Sequence, residues 1–112
     1  MELQTRIGFA SETGKRAAND DYVAACTGET PARLVRDTVA VIADGLGGGP
    51  DGRLAAETCV RGFVDAYYSL PATLGVDRAS ARALAAMNRW IHSQGRQDAH
   101  HQNMATTFSA LV

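Results

Sequence analysis

Two short clusters in the chain combine residue types that handle divalent cations and phosphate. The first is Gly14-Lys15-Arg16-Ala17-Ala18-Asn19-Asp20-Asp21, which holds a guanidinium and two adjacent carboxylates; the second is Asp44-Gly45, a carboxylate at the end of an apolar run. Carboxylates are hard oxygen ligands suited to Mg2+ or Mn2+, and a guanidinium offers a planar fork for phosphate. Joined in one site, Asp20, Asp44 and Arg16 suit metal-assisted phosphoester hydrolysis, in which bound cations convert water into the nucleophile for in-line attack on phosphorus. Spacing alone leaves a plainer reading open. Asn and Asp are ordinary turn residues, so the first cluster by itself reads as a solvated turn. The second resists that reading, because a charge at the end of a core strand needs a partner or a metal to offset its desolvation.

The elements that must position these residues follow from periodicity. Thr38 to Ala43 is a short continuous apolar run of the kind a fully buried strand needs. The glycines after Asp44 let the chain turn sharply and approach a ligand closely. Upstream, Thr5, Ile7 and Phe9 alternate with Arg6, Gly8 and Ala10, which predicts a half-buried strand over Gln4 to Ser11, and Tyr22 to Thr27 predicts another, closed by Gly28-Glu29-Thr30-Pro31. Downstream, Ala56, Cys59, Val60, Phe63, Val64 and Tyr67 fall at helical spacing, with Arg53, Glu57, Arg61 and Asp65 opposite and Pro71 as the stop. Glu57 precedes Arg61 by four, the favourable order for an ion pair. Gly62 costs this helix about 1 kcal/mol relative to alanine, which suggests that another element packs closely there. A second helix is expected from Asp77 as N-cap through Ala83, Leu84, Met87, Trp90 and Ile91 to Gly95. Arg96 to Asn103 then reads as a polar loop, and Ala105 to Val112 as a last strand. The order predicts an α+β domain in which two consecutive helices pair and cover one face of a sheet.

A chain of 112 residues with 46% hydrophobic and 21% charged residues is expected to form one globular domain. Its net charge of -1 provides no basic field for nucleic acid or anionic lipid. No apolar run is long enough to span a bilayer, and the first residues lack the pattern of a signal peptide. Cys26 and Cys59, far apart and each in an apolar segment, read as buried reduced thiols, which fits a cytoplasmic location.

Taken together, Arg16-Ala17-Ala18-Asn19-Asp20-Asp21, Val41-Ile42-Ala43-Asp44-Gly45-Leu46-Gly47-Gly48 and Met104-Ala105-Thr106-Thr107 make the chain resemble the metal-dependent protein phosphatases of the protein phosphatase 2C type, where three such motifs occur in this order. Ala66-Tyr67-Tyr68-Ser69-Leu70-Pro71 and Ala86-Met87-Asn88-Arg89-Trp90-Ile91 look closer still to the phosphatase domain of bacterial phosphatase-kinase fusion proteins. The resemblance implies the N-terminal half of a four-layer αββα sandwich, with antiparallel sheets and a pair of antiparallel helices. It implies a protein serine/threonine phosphatase that uses Mn2+ or Mg2+ in a two-metal site and attacks phosphoserine or phosphothreonine with metal-bound hydroxide. In its terms Arg16 binds phosphate, Asp44 bridges the two metals, Asp20 ligates the second metal, Gly45 offers that metal its backbone carbonyl, and Asp21 supports metal-bound water without touching the metal. The implied partners are phosphorylated proteins and a protein kinase domain within the same full-length protein.

Leu46 stands where many such phosphatases carry a histidine proposed as general acid, and Asp20 where Glu or Gln is more common. The family's remaining metal-binding aspartates lie in C-terminal motifs, so the 112 residues are expected to be the first part of a catalytic domain, weakly active or inactive alone. A non-catalytic regulatory fragment that binds phosphate or metal is the alternative from another class. A dinucleotide-binding reading rests on the glycines from Gly47 to Gly52, with Asp65 and Asp77 at rough distances for a ribose contact. His100 and His101, adjacent in a polar stretch with no matching ligand spacing, read as solvated, and Met87 and Trp90 as core.

Overall fold

A computed structural model describes residues 5–15, 18–26, 38–46, 50–97 and 105–112. The elements run β1 (Asp21–Cys26), β2 (Val39–Asp44), α1 (Pro50–Ser69), α2 (Val76–Gln97) and β3 (Ser109–Leu111). The chain is therefore of the α+β class, with one three-stranded sheet in the order β1-β2-β3, antiparallel throughout, and two helices. A parallel strand-helix-strand unit does not occur among the described elements, so the dinucleotide reading lacks the frame that its glycine loop requires.

The apolar run at Val39–Asp44 takes the centre of the sheet, as its composition demands, but it is not buried on both faces. Val39, Val41 and Ala43 are buried towards the helices, whereas Ile42 on the other face is 57% exposed. The register places Val23 opposite Ile42 and Ala25 opposite Ala40, and Leu111, also opposite Ala40, is 75% exposed. One face of the sheet is thus covered and the other is open among the described residues. The predicted strand over 4–11 does not form within the described residues. They carry no strand pairing from 5 to 13, and Ile7 and Phe9 lie exposed, because an alternating pattern becomes a strand only where a partner supplies its hydrogen bonds.

α1 carries the core. Ala56, Cys59, Val60, Phe63, Val64 and Tyr67 are all buried, while Arg53, Arg61 and Asp65 are exposed and Arg61 meets Glu57 at 3.0 Å. Phe63 stacks on Tyr67 at 5.9 Å between centroids and meets Phe108 edge-on at 5.0 Å, which ties the approach to β3 onto α1. The Tyr68 hydroxyl donates to the Cys26 carbonyl at 3.4 Å, and Arg53 lies 5.1 Å over the Tyr22 ring, so the helix also grips β1.

α2 packs on α1 through Ala79, Ala83, Met87 and Ile91, one row at four-residue spacing. α1 makes the extensive contacts with β1 and β2, so the second helix pairs with the first rather than sharing the cover of the strands equally. The thinnest dimension, 19 Å, fits one helical layer on one sheet. Asp77 is not the N-cap of α2. The Ala79 N–H donates to the Gly75 carbonyl at 2.9 Å, which makes Gly75 the cap and leaves Asp77 in the first turn, where its charge still complements the helix dipole. Trp90, expected in the core, is 51% exposed on the rim between the helices.

Gly62 does not owe its place to crowding. A Cβ there would meet only Met87 Cγ at 4.0 Å, an ordinary contact. Gly62→Ala should therefore stabilise the domain by about 1 kcal/mol in urea denaturation, through the backbone entropy that glycine wastes in a helix. Burial also pushes the Cys59 thiol from 9.0 up to about 11. The folded thiol keeps its proton where the unfolded one loses it, so this contribution is complete below pH 9.0 and is lost as the pH rises towards about 11. Equilibrium unfolding across that window should show the loss, and Cys59→Ala should flatten it.

Candidate functional site

The site is built where β1 begins and β2 ends. Asp44 lies directly opposite Asp21 in the antiparallel register. The next pair outward, Asp20 with Gly45, is hydrogen-bonded, the Gly45 N–H donating to the Asp20 carbonyl at 3.0 Å. Narrow and wide pairs alternate along an antiparallel ladder, so Asp21 and Asp44 form a pair without mutual hydrogen bonds, the kind in which side chains stand closest. Two like charges opposed in this way are destabilising unless something offsets them.

Each of these aspartates has its backbone tied from the outer side. The Asp21 N–H donates to Asn19 Oδ1 at 3.0 Å, and Arg53 Nη1 donates to the Asp21 carbonyl at 3.2 Å. Asn19 also donates to Ser11 Oγ at 2.8 Å, which fixes the turn before β1. On the β3 side, the Thr107 N–H donates to the Asp44 carbonyl at 2.8 Å and the Asp44 N–H donates to Thr107 Oγ1 at 3.1 Å. Gly45 bridges to Thr106, and the Leu46 N–H donates to the Ala105 carbonyl at 2.9 Å.

Gly45 has a packing reason to be glycine. A Cβ built on it would land on the carbonyl of Gly52, in the first turns of α1, and would stand 2.6 Å from Gly52 Cα. Gly52 is tight in turn, since a Cβ there would lie 3.1 Å from Asp20 Cγ and 3.2 Å from its Oδ2. Strand end, helix start and the Asp20 carboxylate therefore meet at two glycines.

The strand alternation sorts the carboxylates. Asp20 shares the α1 side of the sheet with Gly45, whereas Asp21 and Asp44 project from the face that α1 leaves open. They converge at the strand ends on a cleft of ≈ 430 Å³ lined by Glu12, Thr13, Lys15, Ala18, Asn19, Asp20, Asp21 and Asp44. Four carboxylates and one ammonium give this cleft an excess of negative charge. Asp20 Oδ1 is buried with no hydrogen-bond partner among the described residues, an arrangement that favours a cation as the missing neighbour. Carboxylate oxygens are hard donors, of the kind that suits Mg2+ or Mn2+. Among the described residues, no three His, Cys, Asp or Glu side chains are gathered closely enough to enclose an ion.

Of the residues singled out from sequence, Asp20, Asp21, Asp44 and Gly45 are brought together, while Arg16, like Gly47 to Gly49, His100, His101 and Met104, lies outside the described residues. Leu46 is exposed beside the strand end. Lys15, part of the first sequence cluster, lines the cleft as well. Glu12 and Thr13 line it without having been expected there, since isolated polar residues in a loop carry no periodic signal. Thr107, placed by the sequence only in the last strand, clamps the Asp44 backbone; the motif Met104-Ala105-Thr106-Thr107 was the signal that could have marked it.

No protein-family model, curated protein or solved structure matches the chain. Its chemistry rests on its own residues. Gly45→Ala should cost about 3 kcal/mol or unfold the domain, because the added methyl overlaps backbone that cannot yield, while Gly8→Ala, with open space around it, should leave chemical denaturation unchanged.

Proposed function

We propose that the chain is part of a metal-dependent protein serine/threonine phosphatase, with the cleft at the ends of β1 and β2 as its cation site and phosphorylated protein segments as its substrates. The observation that carries this reading is the opposition of Asp21 and Asp44 across the strand pair, beside an Asp20 oxygen with no hydrogen-bond partner among the described residues. Asp20, Asp44 and the Gly45 carbonyl would hold Mn2+ or Mg2+, Asp21 would accept from water beside it, and Arg16 would bind the phosphoryl group. A divalent cation in such a site supplies Lewis-acid activation of water and of phosphoryl oxygens. The protein's own part is positioning: Thr107 and the Asp20–Gly45 bond hold Asp44 from both sides, and Asn19 with Arg53 hold Asp21. Lys15 lines the same cleft and can meet the anionic substrate. The four-layer sandwich and the kinase partner belong to the same proposal and rest on the motif resemblance, and the cytoplasmic location rests on the reading of Cys26 and Cys59 as reduced thiols.

Titration calorimetry with Mn2+ tests the cation site directly. Asp44→Asn and Asp20→Asn should each weaken binding by about tenfold or more, by analogy with the loss that follows even when a ligand's support is removed. Arg16→Ala should leave that titration intact and weaken binding of inorganic phosphate to the Mn2+-loaded chain. Titrations unchanged in both aspartate variants would refute the assignment. Mn2+ binding without hydrolysis of p-nitrophenyl phosphate or a phosphoserine peptide would instead favour the regulatory reading, in which the chain binds metal and phosphate but does not turn over.

A further inference from the structure

The solvent side of the helical layer carries a second feature, independent of the cleft. Between α1 and α2 lies a groove of ≈ 420 Å³, walled by Gly62, Ala66, Ala86, Met87 and Trp90 and predominantly apolar. Arg53 reaches β1, and Gly62 follows it by nine residues, half a turn around the helix at 3.6 residues per turn, so the groove opens away from the sheet. Gly62 leaves the groove deep, since nothing but Met87 comes within 4.0 Å of where its Cβ would stand.

Along the outer face of α2 run Arg78, Arg82 and Arg89, all exposed, with none of the three in an ion pair among the described residues. Eleven residues of helix separate the first from the last, a span of about 16 Å. Arg82, Ala86 and Trp90 follow one another at four-residue spacing, so the arginine row and the groove wall share a ridge. Arg61 borders the groove from α1, but Glu57 occupies it at 3.0 Å.

We infer that this face docks an acidic amphipathic peptide segment, which seats one large apolar side chain against Trp90 and aligns carboxylates with Arg82 and Arg89. Arg82 and Arg89, about one turn of helix or less from the groove residues Ala86 and Trp90 and in no ion pair among the described residues, ask for anions, and the concave apolar wall asks for an inserted side chain, a combination typical of helix-in-groove recognition. A long polyanion fits less well. The chain's net charge of -1 and its acidic cleft give no general attraction for nucleic acid or an anionic membrane, so the contact must be local.

Trp90 is the only tryptophan, which makes its emission a direct reporter. The 112-residue chain is titrated with a synthetic helical peptide of Glu, Ala and Gln carrying a single central Phe. A saturable change in Trp90 emission is expected. Affinity should fall about tenfold or more when the Phe of the peptide is replaced by Ala, when Arg82 and Arg89 are both replaced by Ser, and when salt is raised from about 50 to about 500 mM. Arg82→Lys with Arg89→Lys, which keeps the charge, should retain most of the binding. Circular dichroism verifies that both double variants are folded. The inference is overturned by the absence of a saturable change, by equal affinity in the serine variant, or by tighter binding of duplex DNA or phosphatidylglycerol vesicles than of the peptide.

Discussion

The contact between Gly45 and Gly52 is the constraint on which the rest of the domain depends. The end of the central strand and the first turns of α1 approach so closely that a methyl group on Gly45 would occupy the Gly52 carbonyl. That approach fixes the angle at which α1 leaves the sheet, and hence which of its residues face the strands. Phe63 then meets Phe108, Tyr68 reaches Cys26 and Arg53 reaches Asp21, so a single helix locks β1 and the approach to β3 against β2. The same contact puts the Asp20 carboxylate over Gly52, which places one wall of the cleft by packing rather than by any bond to that carboxylate.

Much of this was legible in the sequence. The rows of apolar residues in α1 and α2 gave both helices to within a few residues, because burial at three-and-four spacing is a strong and local signal. Val39 to Ala43 named the central strand for the same reason. The failures have physical causes. A run that is apolar at every position cannot tell whether one face or both will be covered, and here Ile42 stayed exposed. Thr5, Ile7 and Phe9 have the alternation of a strand, but alternation does not supply a pairing edge. Trp90 lies on the apolar side of α2, yet the neighbouring helix is reached by the small residues Ala79 and Ala83, and closeness there leaves a bulky ring at the rim.

The site was legible as a set of residues more than as an arrangement. Asp20, Asp21, Asp44 and Gly45 were marked by type and by their motifs, and they do meet at one pair of strand ends. That Asp21 opposes Asp44 while Asp20 turns to the other face is a matter of register, which depends on contacts far apart in the chain. Thr107 is the clearest instance: it lies 63 positions from the Asp44 backbone that it holds, and no local pattern links the two.

The thinness of the domain sets a limit on reach. Asp21 and Asp44 project from the open face of the sheet, and the groove beside Trp90 opens on the far side of α1. The smallest extent of the fold is 19 Å. At the rise of an extended chain, a ligand needs roughly six residues merely to cross that thickness, and more to pass around an edge. If both faces receive peptide segments as proposed, a short segment can engage one face or the other. Only a chain with a spacer between its two recognition elements can hold both at once, and for such a chain the length of the spacer, more than the strength of either contact, decides whether the second is made.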